Sequence, residues 1–194
     1  MDKPLNESLG SYKFWPDPNA DLKSYGWHWK LQAESFRKAA GVLAIILNQE
    51  FNQGPRMGQI SIGVSDPYIL MIGFAIENLL KAILLHRHPE LIQGDKLIGK
   101  HFSNHSLREV AKDAQITLTE NEDRLCDICS IYIEGRGRYP IPKRTSKKIQ
   151  QMHLNFRLIS MTFNTLYGRL SDLMDQEKML TMPGGKIFNE DMLK

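Results

Sequence analysis

Trp29, Ala33, Phe36, Ala40, Leu43 and Leu47 step by four and three, the spacing that sets side chains on one face of a helix. The pattern predicts a first helix from about Tyr25, and Gly54 with Pro55 marks its end. The stretch QGPRMGQISIGVS reads as a loop. Asp66 followed by Pro67 has the chemistry of a helix start, a good N-cap and then a proline in the first turn. From there Ile69, Ile72, Ile76, Leu79 and Ile83 hold the same rhythm to about Arg87, before Pro89. Leu70, Phe74 and Leu80 fill other faces, and a helix apolar on most sides belongs at the centre of a domain.

Two capping signatures follow. Ser106 with Glu109 predicts a short helix, SLREVAKDAQ, and Thr119 with Glu122 opens TENEDRLCDICSIYIEGR, which ends before Pro140 and Pro142. The last helix is expected from about Ser146 to Met174. Ile149, Met152, Phe156, Ile159, Phe163, Leu166, Leu170 and Leu173 form an unbroken 3-4 seam there, fit for bundle packing and for a dimer contact. No segment alternates as a strand. The fold class is therefore all-α, an up-and-down bundle of four to five helices. Its expected limits are residues 25–175, between an arm at 1–24 broken by Pro4, Gly10, Pro16 and Pro18 and a tail at 176–194.

Composition adds little to this picture, but charge adds a good deal. A chain of 194 residues with 42% apolar and 24% charged residues builds a core without metals or disulfides, which excludes disordered and disulfide-scaffold classes. The N-terminus has no apolar signal-peptide core. The longest apolar run, Tyr68 to Ile76, falls short of the roughly 20 residues needed to span a bilayer. The expectation is a cytoplasmic protein without membrane contact. Net charge is only +3, yet residues 136–148, RGRYPIPKRTSKK, hold six bases and no acid, and the remainder has 19 bases against 22 acids. Arg136, Arg138, Lys143, Arg144, Lys147 and Lys148, with Tyr139 among them, form the candidate phosphate or nucleic-acid site.

Other candidates are weaker. Cys126 and Cys129 make one C-x-x-C, which with His101 and His105 would count four zinc ligands, but their neighbours Leu125, Ile128 and Tyr132 fit a core face better. His101 and His105 suit loop and capping roles ahead of Ser106. Glu77 and Lys81 lie one turn apart in the apolar second helix, where a partly buried polar network is expected. No nucleophile elbow, phosphate-cradling glycine loop or carboxylate cluster occurs, so nothing calls for a metal or a cofactor.

Three segments in order, AIENLLKAILL at 75–85, KHFSNHSLREVAK at 100–112 and YIEGRGRYP at 132–140, resemble the HEPN domain of higher eukaryotes and prokaryotes. The matching residues are Glu77, Lys81 and Ala82, then His105, Ser106 and Leu107, then Arg138, Tyr139 and Pro140, across about residues 25–175. The resemblance implies a helical module that commonly dimerises and works in RNA metabolism. Its settings are toxin–antitoxin pairs with a nucleotidyltransferase-like partner, antiviral defence and non-catalytic assembly. It also makes Glu77, Lys81 and His105 a candidate polar site network.

Active members of that family are metal-independent RNases built on an arginine, four to six residues and a histidine. Here the window after Arg136 ends at Ile141, Pro142 or Lys143, and that after Arg138 at Lys143, Arg144 or Thr145. Lysine, with an unperturbed pKa of about 10.4, is a poor proton shuttle near neutrality. The expectation is a non-catalytic, homodimeric relative that binds RNA or nucleotide phosphates. The alternatives are an RNase with an atypical site, Arg138 with a distant His101, His105 or His153, and a pure protein-interaction module.

Overall fold

The structure, a computed structural model, describes residues 23–52, 60–93, 96–100, 102–136 and 154–181. These form five helices: α1 (Lys23–Asn52), α2 (Ile60–Arg87), α3 (Leu107–Asp113), α4 (Glu120–Ile131) and α5 (Phe156–Thr181). A π-helical turn, Tyr132–Arg136, extends α4. A minimal antiparallel ladder, β1 (Ile92–Gln93) with β2 (Lys96–Leu97), follows a 3-10 turn at Pro89–Leu91. The described residues are all-α apart from that ladder, which no alternation in the sequence announces.

α2 is central because it has no polar side to turn outward. Ile69, Ile72, Ile76, Leu79, Leu80 and Ile83 are all fully buried. α1 runs antiparallel along it. Phe36 stacks 5.1 Å from Phe74, and a Cβ added at Gly26 would sit 3.2 Å from the Ala82 carbonyl oxygen. α5 runs parallel to α2, with Phe156 6.5 Å from Tyr68 at one end and Arg87 paired to Glu177 at the other. Its expected seam does face inward, since Ile159, Phe163, Leu166 and Leu170 are buried in the common core. α4 closes on the middle of α2 at Gly73, where an added Cβ would meet Cys129 Cβ at 3.2 Å and Ile133 Cδ1 at 3.1 Å.

Several element ends differ from the sequence reading. α2 begins at Ile60, inside the expected loop, and carries Pro67 within it. The carbonyl that Pro67 cannot bond belongs to Gly63; both residues are exposed, so water can satisfy it. α5 begins at Phe156, with Leu154 and Asn155 outside the helix, and Leu158 N–H donates to the Asn155 side chain as a cap. It continues to Thr181, past the boundary expected at 175. Ile149, Met152, Gly54, Pro55, most of the arm and residues 182–194 lie outside the described residues.

By length and composition the stretch Gly63–Arg87 is apolar enough to cross a membrane, with a mean hydropathy of 1.8 over its most apolar 18 residues, although its uninterrupted apolar run is short. Within the bundle 78% of those 18 residues are buried.

Candidate functional site

The second helix carries two charges into a place where water does not reach. Glu77 and Lys81 are 4% and 2% exposed. Burying an isolated ammonium is prohibitive, so Lys81 needs every partner it can find. Its Nζ donates to Glu77 Oε1 at 2.5 Å and to the Phe102 carbonyl at 3.0 Å, and lies 5.6 Å from the centroid of the Trp29 ring. The indole face adds a cation–π attraction from α1. Trp29 also stacks 6.2 Å from Phe102, which holds the carbonyl-bearing loop in place.

His105 completes the cluster. Its Nδ1 lies 3.0 Å from Glu77 Oε1, the oxygen that also accepts from Lys81. A carboxylate accepts only, so in this contact Nδ1 carries the proton and donates to Glu77. The imidazole is one-third exposed and forms the outer edge of an otherwise buried network. The structure thus brings together Glu77, Lys81 and His105, from α2 and from the loop ahead of α3.

That loop is fixed by contacts other than the expected capping box. The Ser106 side chain makes no cap hydrogen bond. Its N–H donates instead to Asn104 Oδ1, and Leu107 N–H donates to the hydroxyl of Ser130 on α4. Asn104 also donates to Glu109, so the acid of the expected box is engaged there. The second box is present: Glu122 N–H donates to Thr119 Oγ1, and Thr119 N–H donates to Glu122 Oε2. Burial pushes Glu122 up, but the Thr119 N–H, Arg169 at 2.9 Å and the Thr119 hydroxyl outweigh it and leave its pKa below the ordinary value.

The Ser130 contact ties α4 to the loop that carries His105. Ser130 holds Leu107, two residues past His105. Arg136 follows six residues later, about 9 Å on at helical rise. Arg136 is the first residue of the basic segment. Arg136 closes the described stretch, and Arg138, Tyr139, Lys143, Arg144, Lys147 and Lys148 lie outside the described residues, as do His101 and His153.

Cys126 and Cys129 are buried, free thiols of the core. Burial first, with Asp123 and Glu122 nearby, pushes Cys126 up to about 12, and burial raises Cys129 well above its usual value. Both remain protonated thiols, whereas zinc and redox chemistry use the thiolate. Among the described residues no group of three or more His, Cys, Asp or Glu is placed to hold a metal. A cavity of about 600 Å³ between Leu47, Tyr68, Phe156 and Met161 opens elsewhere. Tyr68 lies nine residues, about 13 Å, along α2 from Glu77.

Sequence reasoning missed the Phe102 carbonyl, the Trp29 face and Ser130. A main-chain oxygen leaves no mark in a sequence, and Trp29 and Ser130 look like ordinary helix positions. Compared with family models, with curated proteins and with solved structures, the chain matches none of them.

Proposed function

We propose that this chain is a HEPN-like protein with an up-and-down helical bundle. It binds the phosphates of RNA or of a nucleotide through Arg136, Arg138, Lys143, Arg144, Lys147 and Lys148, and does not cleave them. It acts in the cytoplasm as a homodimer, in an RNA-related assembly of the toxin–antitoxin or defence type that includes a nucleotidyltransferase-like or other protein partner. The observation that supports this reading is the run of six bases and no acid at residues 136–148, which follows α4, the helix that the Ser130–Leu107 hydrogen bond ties to the loop carrying His105. Cations concentrated on one stretch attract a phosphate chain and release its counterions, and Tyr139 offers a face on which a base stacks. Binding of a short single-stranded RNA, followed by fluorescence anisotropy, tests the reading. Arg138→Ala/Lys143→Ala should abolish binding while helicity is retained; wild-type affinity in that variant would refute it.

One observation favours a second reading, a metal-independent RNase with an atypical site. Glu77 orients His105 as a buried carboxylate orients a proton-transferring imidazole, and the ring is one-third exposed. In that reading Nε2 takes the proton of the 2′-hydroxyl, whose oxygen attacks the neighbouring phosphorus, while the 5′-oxygen departs with a proton from water. Incubation with total RNA in the presence of a chelator separates the two readings. Discrete fragments that disappear in His105→Ala favour cleavage, and intact RNA favours binding alone.

A further inference from the structure

The cavity of about 600 Å³ opens where the C-terminal half of α1, the start of α2 and the first turns of α5 meet. Both outer helices lean on α2 there, α1 through Leu47 and α5 through the Phe156–Tyr68 ring pair, and the space between them stays open. Ala44, Leu47, Tyr68, Phe156 and Met161 give it apolar walls, and its volume is in the range that holds a small ligand. Its polar groups are few and mostly engaged. The Tyr68 and Ser160 side chains hydrogen-bond each other, and Asn155 Oδ1 receives Leu158 N–H. That leaves Asn48 and Arg157 to face a ligand. Arg157 is the one charge among the described residues that line the cavity, and the first turn of α5 has no acid to neutralise it. A guanidinium at the positive end of a helix dipole, where an acid is the usual residue, attracts an anion.

We propose that this cavity binds a medium-chain aliphatic carboxylate, with its chain against the apolar walls and its carboxylate on Arg157. The lining decides the class of ligand. A flat ring such as a nucleobase would need parallel faces to lie between, yet the Tyr68 and Phe156 rings are inclined by 53°. A single asparagine amide also cannot match the several donors and acceptors along the edge of a base. A flexible chain follows inclined rings, and the unbranched Met161 adapts to it. A plain hydrocarbon gains nothing from Arg157, and a small inorganic anion gains nothing from the walls. An amphipathic anion uses both. The proposal does not rest on RNA binding: Tyr68 lies about 13 Å along α2 from Glu77, and a chain with no affinity for RNA would take the same ligand.

Isothermal titration calorimetry of the full chain with octanoate, nonanoate and decanoate, each below its micellar range, tests the proposal. One molecule should bind per chain, and each added methylene should tighten binding about three- to fourfold. Decanol keeps the chain and lacks the charge. Arg157→Gln, at an exposed position, should weaken decanoate about fivefold and leave decanol unchanged. Ala44→Phe fills the cavity from α1 and should abolish binding of both with helicity retained. The length series and Arg157→Gln leave the packing untouched, so they decide the matter even if Ala44→Phe does not fold. A wild type that binds no decanoate would overturn the proposal, whether another part of the chain closes the cavity or the cavity has no affinity. So would an affinity independent of chain length, or decanoate binding unchanged in both variants, which would place it on another apolar surface such as that of Val42 and Ile45.

Discussion

Lys81 has almost no water, so its charge is balanced by one carboxylate, one carbonyl and one indole face. Removing one member of such a buried pair strands the other. Lys81→Met should cost about 3–5 kcal/mol in urea unfolding, and Glu77→Gln/Lys81→Met should recover much of that loss. An additive double variant would mean that the pair is not coupled. Glu122 offers a second test. Its folded pKa is depressed, so its contribution is present above the unfolded value of about 4.3 and is lost as pH falls through the folded value. The melting temperature of Glu122→Gln should therefore fall less steeply than that of the wild type as pH drops below about 4. At this scale the Glu77–Lys81 spacing was legible in the sequence, because two charges one turn apart on an apolar helix must find each other. That His105 shares the same carboxylate oxygen depends on a loop 28 residues away, which spacing does not encode.

Element ends show where local rules are overridden. Thr119 and Glu122 cap α4 as their spacing implies. Ser106 and Glu109 have the same spacing, yet the hydroxyl of Ser130 receives Leu107 N–H and Asn104 receives that of Ser106. A cap supplied across helices has no signature in the sequence. Ser130→Ala should therefore destabilise by about 1–3 kcal/mol in chemical denaturation, the cost of orphaning a buried donor, and Ser106→Ala by about 0.5 kcal/mol or less. The reverse order would restore the local capping box. Asp66-Pro67 misleads for a related reason, since exposure of Gly63 lets the proline sit within α2 rather than at its start. Gly73 lets α4 approach α2, and Gly73→Ala should lose about 1 kcal/mol in the same assay, because the clash with the Cys129 Cβ outweighs the helix propensity gained.

For the whole molecule, helical character and a central α2 were readable from the 3-4 rhythm, and the inward seam of α5 likewise. The convergence of the α4 terminus with the His105 loop was not, because it follows from packing at Gly73 and Ser130 rather than from any run of residues. The charge is uneven along the chain, since six bases and no acid at residues 136–148 follow α4 while the remainder is slightly acidic. A salt titration of RNA binding tests the proposed role of that segment most directly. If four of its cations contact phosphates, affinity for single-stranded RNA should fall on the order of fiftyfold between about 50 and 200 mM salt. Arg138→Ala/Lys143→Ala should bind no RNA even at the lower salt. A salt-independent affinity, or a variant that binds and titrates like the wild type, would contradict the account.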